Sequence, residues 1–127
     1  MAKQDQKASA AVGRAGEYLA LAHLSLAGYA CTMCRIKDHD AYIQTDGGVL
    51  TLQVKTAGQK YKRGKSYAFY TLKKNGPRSD VFAFVAIDLG AVIFRRGDEV
   101  FKATTYISED DFLNEKLSMQ KTFDSFK

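Results

Sequence analysis

Two alternating runs, Ala41–Thr45 and Val49–Thr56, flank Asp46-Gly47-Gly48. Glycines after an aspartate supply the positive-φ positions that a tight hairpin turn needs. A hairpin with one buried face has a fixed register, because a slip of one residue would turn every side chain to the wrong side. Taking Gly47-Gly48 as a two-residue loop puts Asp40 opposite Lys55 and Tyr42 opposite Gln53. Period two then gathers Asp40, Tyr42, Gln53 and Lys55 on one face, with Ile43, Leu50, Leu52 and Val54 on the other.

An apolar hairpin face needs a covering layer. Ser9 can cap a helix that runs to about Ala27 and is ended by Gly28. Helical spacing lines up Val12, Ala15, Leu19, Ala22 and Leu26 as one stripe, with Leu21 and Leu24 as a second apolar patch. Arg14 and Glu17 are the only formal charges between Gly13 and Ala30, and Glu17 falls beside Leu21 and Leu24, so its carboxylate is expected to be half-buried. Tyr29–Ile36 reads as a strand before the hairpin. Tyr67–Leu72 is ambiguous between strand and extended arm, and Asn75-Gly76-Pro77 must turn. Val81–Ile87 and Val92–Arg95 form a second hairpin across Asp88-Leu89-Gly90-Ala91, and Ser108 caps a final helix from Glu109. The predicted order is αβββ, a basic insert, then ββα: an α/β (α+β) fold with a mixed sheet flanked by helices.

At 127 residues, with 46% hydrophobic residues, seven tyrosines and eight phenylalanines, the chain suits one domain over 1–127 with a core of its own. The polar start from Met1 to Ala10 has no signal-peptide run, and Leu19–Leu26 is too short to span a bilayer, so a soluble, cytoplasmic protein is expected. Cys31 and Cys34 lack a second ligand pair for zinc, and three-residue spacing on a strand points them apart. Reduced, buried thiols are the simpler reading. His23 lies near the apolar stripe and reads as a packed histidine.

The net charge of +5 is unevenly distributed. Gly47–Ser79 contains no acidic residue and carries +8, from Lys55, Lys60, Lys62, Arg63, Lys65, Lys73, Lys74 and Arg78, so the rest of the chain carries −3. Such asymmetry fits a polyanion partner, whose bound counterions are released on association. A solvated loop would account for the charge equally well.

On the polar hairpin face, a carboxylate and an amide carbonyl offer hard oxygen ligands for Mg²⁺, and water held by such an ion is a better nucleophile toward phosphate. A lysine beside them can stabilise charge on phosphoryl oxygens. The same residues could equally form an exposed Asp40–Lys55 ion pair with Gln53 solvated, and pattern alone does not separate the two.

Gly13-Arg14-Ala15-Gly16-Glu17 on a first helix, Gly28-Tyr29 opening a strand, Asp40 opening the next and Gln53-Val54-Lys55-Thr56-Ala57 on the third resemble the PD-(D/E)XK nuclease superfamily over roughly residues 12–96. Within it the pattern is most similar to group I intron homing endonucleases of the Q-x-K type and to archaeal-type Holliday-junction resolvases. The resemblance implies a restriction-endonuclease-like core, dependence on Mg²⁺ or Mn²⁺, and phosphodiester hydrolysis leaving a 5′-phosphate. It implies that Asp40, Gln53 and Glu17 hold the metal and that Lys55 is the catalytic lysine. His39 stands where the motif has proline, and Gln53 where most members have a carboxylate. Two negative ligands remain, so metal affinity is expected to be lower but retained.

DNA binding would fall to Lys60, Lys62, Arg63, Lys65, Lys73, Lys74 and Arg78. The interleaved Tyr61, Tyr67, Phe69 and Tyr70 are available for stacking, although Phe69 reads as core. Arg14 and Thr56 are further candidates for contacts at the site, and of Arg95 and Arg96 a regular strand offers DNA at most one. Three functions fit: a homing-type endonuclease, a junction-resolving dimer, and a catalytically inactive DNA-binding module of the same fold. Phe112, Leu113, Leu117, Phe123 and Phe126 are more apolar than a free tail needs and are expected to pack on the body or on a second subunit of a homo-oligomer.

Overall fold

The structure, a computed structural model, describes residues 3–36, 39–60, 64, 66–71, 79–114 and 117–127, with backbone alone at 3–8, 35 and 36. A long helix α1 (Lys3–Leu26) leads into β1 (Ala30–Ile36), β2 (His39–Thr45) and β3 (Gly48–Ala57). Then come β4 (Ser66–Tyr70), β5 (Val81–Ala86), β6 (Ala91–Arg96), β7 (Thr104–Ser108), α2 (Glu109–Asn114) and α3 (Ser118–Asp124). A five-stranded sheet runs β1-β2-β3-β5-β6, with β3 and β5 parallel and the other pairs antiparallel, while β4 and β7 pair antiparallel in a small second sheet. The mixed α/β architecture is the expected one.

All six residues of β5 are buried, as a strand covered on both faces requires. On one side, Leu52, Val81, Ala83, Val85 and Phe94 form a core with Ala20 and Leu24 of α1 and Phe123 of α3. On the other, Ala57, Phe82, Phe84, Ala86 and Ile93 are covered by Tyr67 and Phe69 of β4, with Ile107 and Phe112. Main sheet and small sheet therefore stack as layers, and α1 lies on the far side.

Several expectations need correction. The helix starts at Lys3, so Ser9 lies inside it and is not its cap; Lys, Gln and Ala dominate residues 3–8 and are good helix formers. The buried line of α1 runs through Gly16, Ala20 and Leu24, whereas Leu26 is 89% exposed. The small residues set that line because they let the helix axis approach the sheet: a Cβ on Gly16 would lie 1.9 Å from Thr56 Oγ1. At the other end Gly28 (φ 95°) terminates α1, with Tyr29 N–H bonding to Leu24 O and Gly28 N–H to Ser25 O, the paired closure that a left-handed residue allows.

β7 and α3 were not anticipated. β6 is an edge strand, and α3 covers that edge: Ser118 Oγ accepts the Phe94 N–H at 3.2 Å and Thr122 Oγ1 donates to Phe94 O at 3.0 Å. One turn of helix thus satisfies both outward backbone groups of an edge residue, which would otherwise invite strand addition. Ser108 does cap α2, accepting the Asp111 N–H. Of the apolar tail, Phe112 and Phe123 are buried in the body, while Leu113 and Leu117 stay 53% and 72% exposed. Cys31 and Cys34 are free and half-buried, and burial raises the Cys31 thiol pKa. Among the described residues no helix is long and apolar enough to cross a membrane.

Candidate active site

The hairpin turn is Asp46-Gly47, not Gly47-Gly48, because Thr45 pairs with Gly48 and Gly48 takes φ 133° as the first residue of β3. The register is accordingly two residues off the expected one: Tyr42 faces Thr51, not Gln53, and Ala41 faces Leu52. Asp40 is therefore not opposite Lys55. A shift of two preserves the side each residue points to, so Asp40, Tyr42, Gln53 and Lys55 still share a face.

Backbone pairing between β2 and β3 ends at Ala41–Leu52. Immediately beyond it, Asp40 Oδ2 accepts the N–H of Val54 at 2.7 Å. The carboxylate takes the place of the strand carbonyl that the ladder would otherwise supply, so Asp40 sits in a fork between the two strands, on the backbone that joins Gln53 to Lys55. All three side chains are half-buried. Gln53 pairs with Phe82 and Lys55 with Phe84 across the parallel ladder, so both stand on the sheet face whose other part is covered by β4 and β7.

Glu17 approaches from the opposite side. Gly16, its neighbour, rests on Thr56, so the α1 backbone passes close to β3 next to Glu17, whose side chain is half-buried. Among the described residues no three His, Cys, Asp or Glu side chains cluster as a metal site. The donor set fits a hard, partly hydrated divalent cation, since every candidate ligand atom is an oxygen.

Neighbouring groups brace the site. His39 Nδ1 lies 2.8 Å from Ser79 Oγ, reaching across β3 from β2 to a residue two positions before β5. Asp80 Oδ2 accepts from both the backbone and the hydroxyl of Thr51, and Asp80 N–H donates to Thr51 Oγ1 at 2.8 Å. Ser79 and Asp80 belong to no periodic pattern, and nothing in the sequence marks them, or the His39 imidazole, as braces.

Of the basic candidates, Lys60 forms an ion pair with Glu109, which raises its pKa. Lys62, Arg63, Lys65, Lys73, Lys74 and Arg78 lie outside the described residues, as does Tyr61. Arg96 is committed to Asp98, to Ser125 and to the Phe126 ring, 4.2 Å from its guanidinium carbon, and Arg95 donates to Phe94 O at 3.0 Å. Arg14 is exposed, His23 is half-buried, and Thr56 serves as the contact for Gly16. Tyr67 and Phe69 are core, with Tyr67 donating to Asp88 at 2.8 Å. Burial, and then Asp88, raise the Tyr67 phenol pKa well above its usual value. Tyr70, by contrast, is 79% exposed.

No family model and no curated protein matches this sequence. Among solved structures the chain is similar to the bacterial homing endonuclease I-Ssp6803I, with a TM-score of 0.67 over 77% of this chain and 73% of that one, at 16% identity. The fold is that of the PD-(D/E)XK, restriction-endonuclease-like proteins.

Proposed function

We propose that this protein is a divalent-metal-dependent endonuclease that hydrolyses phosphodiester bonds in DNA, with Glu17, Asp40, Gln53 and Lys55 as its catalytic residues. The observation that carries the reading is the fork between β2 and β3, where Asp40 is pinned to the Val54 amide between Gln53 and Lys55. A surface ion pair would need no such bond; a ligand whose oxygen must be held in place would.

Asp40, Gln53 and Glu17 would hold Mg²⁺ or Mn²⁺, with the remaining positions left to water. Such an ion offsets phosphate charge and acidifies the attacking water. Val54 N–H holds one Asp40 oxygen, and Oδ1 is not used by that bond. Gln53 contributes a neutral carbonyl oxygen, so the two carboxylates balance the ion's charge without excess. Lys55 places an ammonium where charge builds on the phosphoryl oxygens and orients the attacking water, a contribution of several kcal/mol when preorganised. Cleavage would leave a 5′-phosphate and a 3′-hydroxyl. Lys60 and the cations at 62, 63, 65, 73, 74 and 78 would neutralise the phosphates on either side.

Supercoiled plasmid, linear duplex and a synthetic four-way junction, each with Mg²⁺, with Mn²⁺ and with chelator, test this. Metal-dependent cutting is expected. Selective cutting of the junction favours a resolving enzyme acting as a homo-oligomer, and site-specific cutting of duplex favours a homing type. Binding of all three substrates without turnover in either metal would contradict the enzyme reading. It would instead support the inactive DNA-binding module of the same fold.

A further inference from the structure

The face that the small sheet turns away from the core carries aromatic residues. Inward-pointing Tyr67 and Phe69 of β4 are 0% and 2% exposed, whereas Tyr70 is 79% exposed. On the paired strand β7, Ile107 is buried and Tyr106 is 63% exposed. Tyr70 pairs with Thr104 and Ala68 with Tyr106, so the two tyrosines are diagonal neighbours on one face, about 7–8 Å apart. Phe101, three residues before β7, is 67% exposed as well. Thr71, the residue after Tyr70, donates its N–H to Ala103 O at 2.9 Å and its hydroxyl to Lys102 O at 2.7 Å.

We infer that Tyr70, Tyr106 and Phe101 form a stacking platform for unpaired bases, so that the preferred partner is a nucleic acid with a single-stranded or extruded segment rather than unbroken duplex. The inference rests on the nuclease reading above and specifies its substrate class. Exposed aromatics on a sheet face, with cations to follow the backbone, are the elements of sequence-tolerant single-strand binding. The cations are present in the sequence on both sides of β4: seven between Gly58 and Ser79, with no carboxylate among them. That charge also argues against a second copy of the chain as the occupant. Two copies of a chain with net charge +5 repel each other, whereas a polyanion relieves that charge.

Fluorescence anisotropy in chelator, where no cutting occurs, tests the proposal with two probes: a blunt duplex, and the same duplex carrying an unpaired flap labelled with 2-aminopurine. The wild type should bind the flapped probe roughly tenfold or more tighter than the duplex and quench the reporter, on the usual scale of base–aromatic stacking. Tyr70→Ala combined with Tyr106→Ala should remove preference and quenching while leaving duplex binding in place, and the paired Tyr→Phe variant should retain both. Duplex binding without flap preference in the wild type, or preference unmoved by the alanines, overturns the platform and leaves the nuclease reading standing. Failure to bind either probe at low salt overturns both. Sedimentation in which the alanines convert a dimer to a monomer, with flap preference unchanged, assigns the face to a second copy and overturns the platform as well.

Discussion

Asp40 gives one oxygen to the Val54 amide, and that bond separates two consequences of replacing it. In Asp40→Asn the side-chain carbonyl can still accept the N–H, so the melting temperature should stay within a few degrees of wild type while cleavage is lost. Asp40→Ala leaves the amide without its partner, and thermal or urea unfolding should show a further loss of about 1–3 kcal/mol. Equal stability of the two variants would mean the bond does not hold the fork. Tyr67 gives a residue-scale prediction in pH. Its folded-state pKa is raised by burial and by Asp88, so the buried, protonated phenol contributes stability that is intact below the free-tyrosine value of about 10 and is lost as pH rises through the folded-state value. The stability gap between wild type and Tyr67→Phe should therefore narrow above about pH 10, read by unfolding at a series of pH values. That Asp40, Gln53 and Lys55 share one face could be read from the sequence because period two survives an even error in register. Their partners could not, since the choice between Asp46-Gly47 and Gly47-Gly48 as the loop depends on which glycine takes the positive φ.

Between elements, closeness at two seams decides the fold. α1 meets β3 at Gly16, and a methyl there would strike the Thr56 side chain, so Gly16→Ala should destabilise by about 1–3 kcal/mol through overpacking. Because Glu17 adjoins the same seam, cleavage should fall more than stability does, as measured at a temperature where the variant is fully folded. At the other seam, Thr122→Val keeps the shape but removes the donor to Phe94 O. Arg95 Nη1 still donates to Phe94 O at 3.0 Å, so chemical unfolding should show a loss of about 0.5–1.5 kcal/mol, and no loss would mean that the guanidinium or water takes over from the hydroxyl at the β6 edge. The sequence showed most element types because their apolar periods are strong, as in Val81–Ala86. It hid β7, whose five residues are strand only through pairing with β4. It also hid the docking line of α1, because Gly16, where the helix comes closest to β3, carries no hydrophobic signal.

Over the whole molecule, charge and topology support one reading. The sheet leaves Gln53 and Lys55 on the face shared with the small sheet, and the acid-free segment of the sequence flanks that same small sheet. If the seven cations from Lys60 to Arg78 each meet a phosphate, the slope of log K against log salt should be about −6. A slope near zero in a binding titration would remove these residues from the interface. The central claim is that the fork holds a catalytic centre, and single-turnover cleavage of the preferred DNA at saturating protein tests it most directly, comparing wild type with Lys55→Ala in Mg²⁺. Turnover lost by roughly a hundredfold or more with DNA affinity unchanged, as removal of a preorganised charge stabiliser predicts, is the expected result; a Lys55→Ala variant that cuts as fast as wild type would contradict the account.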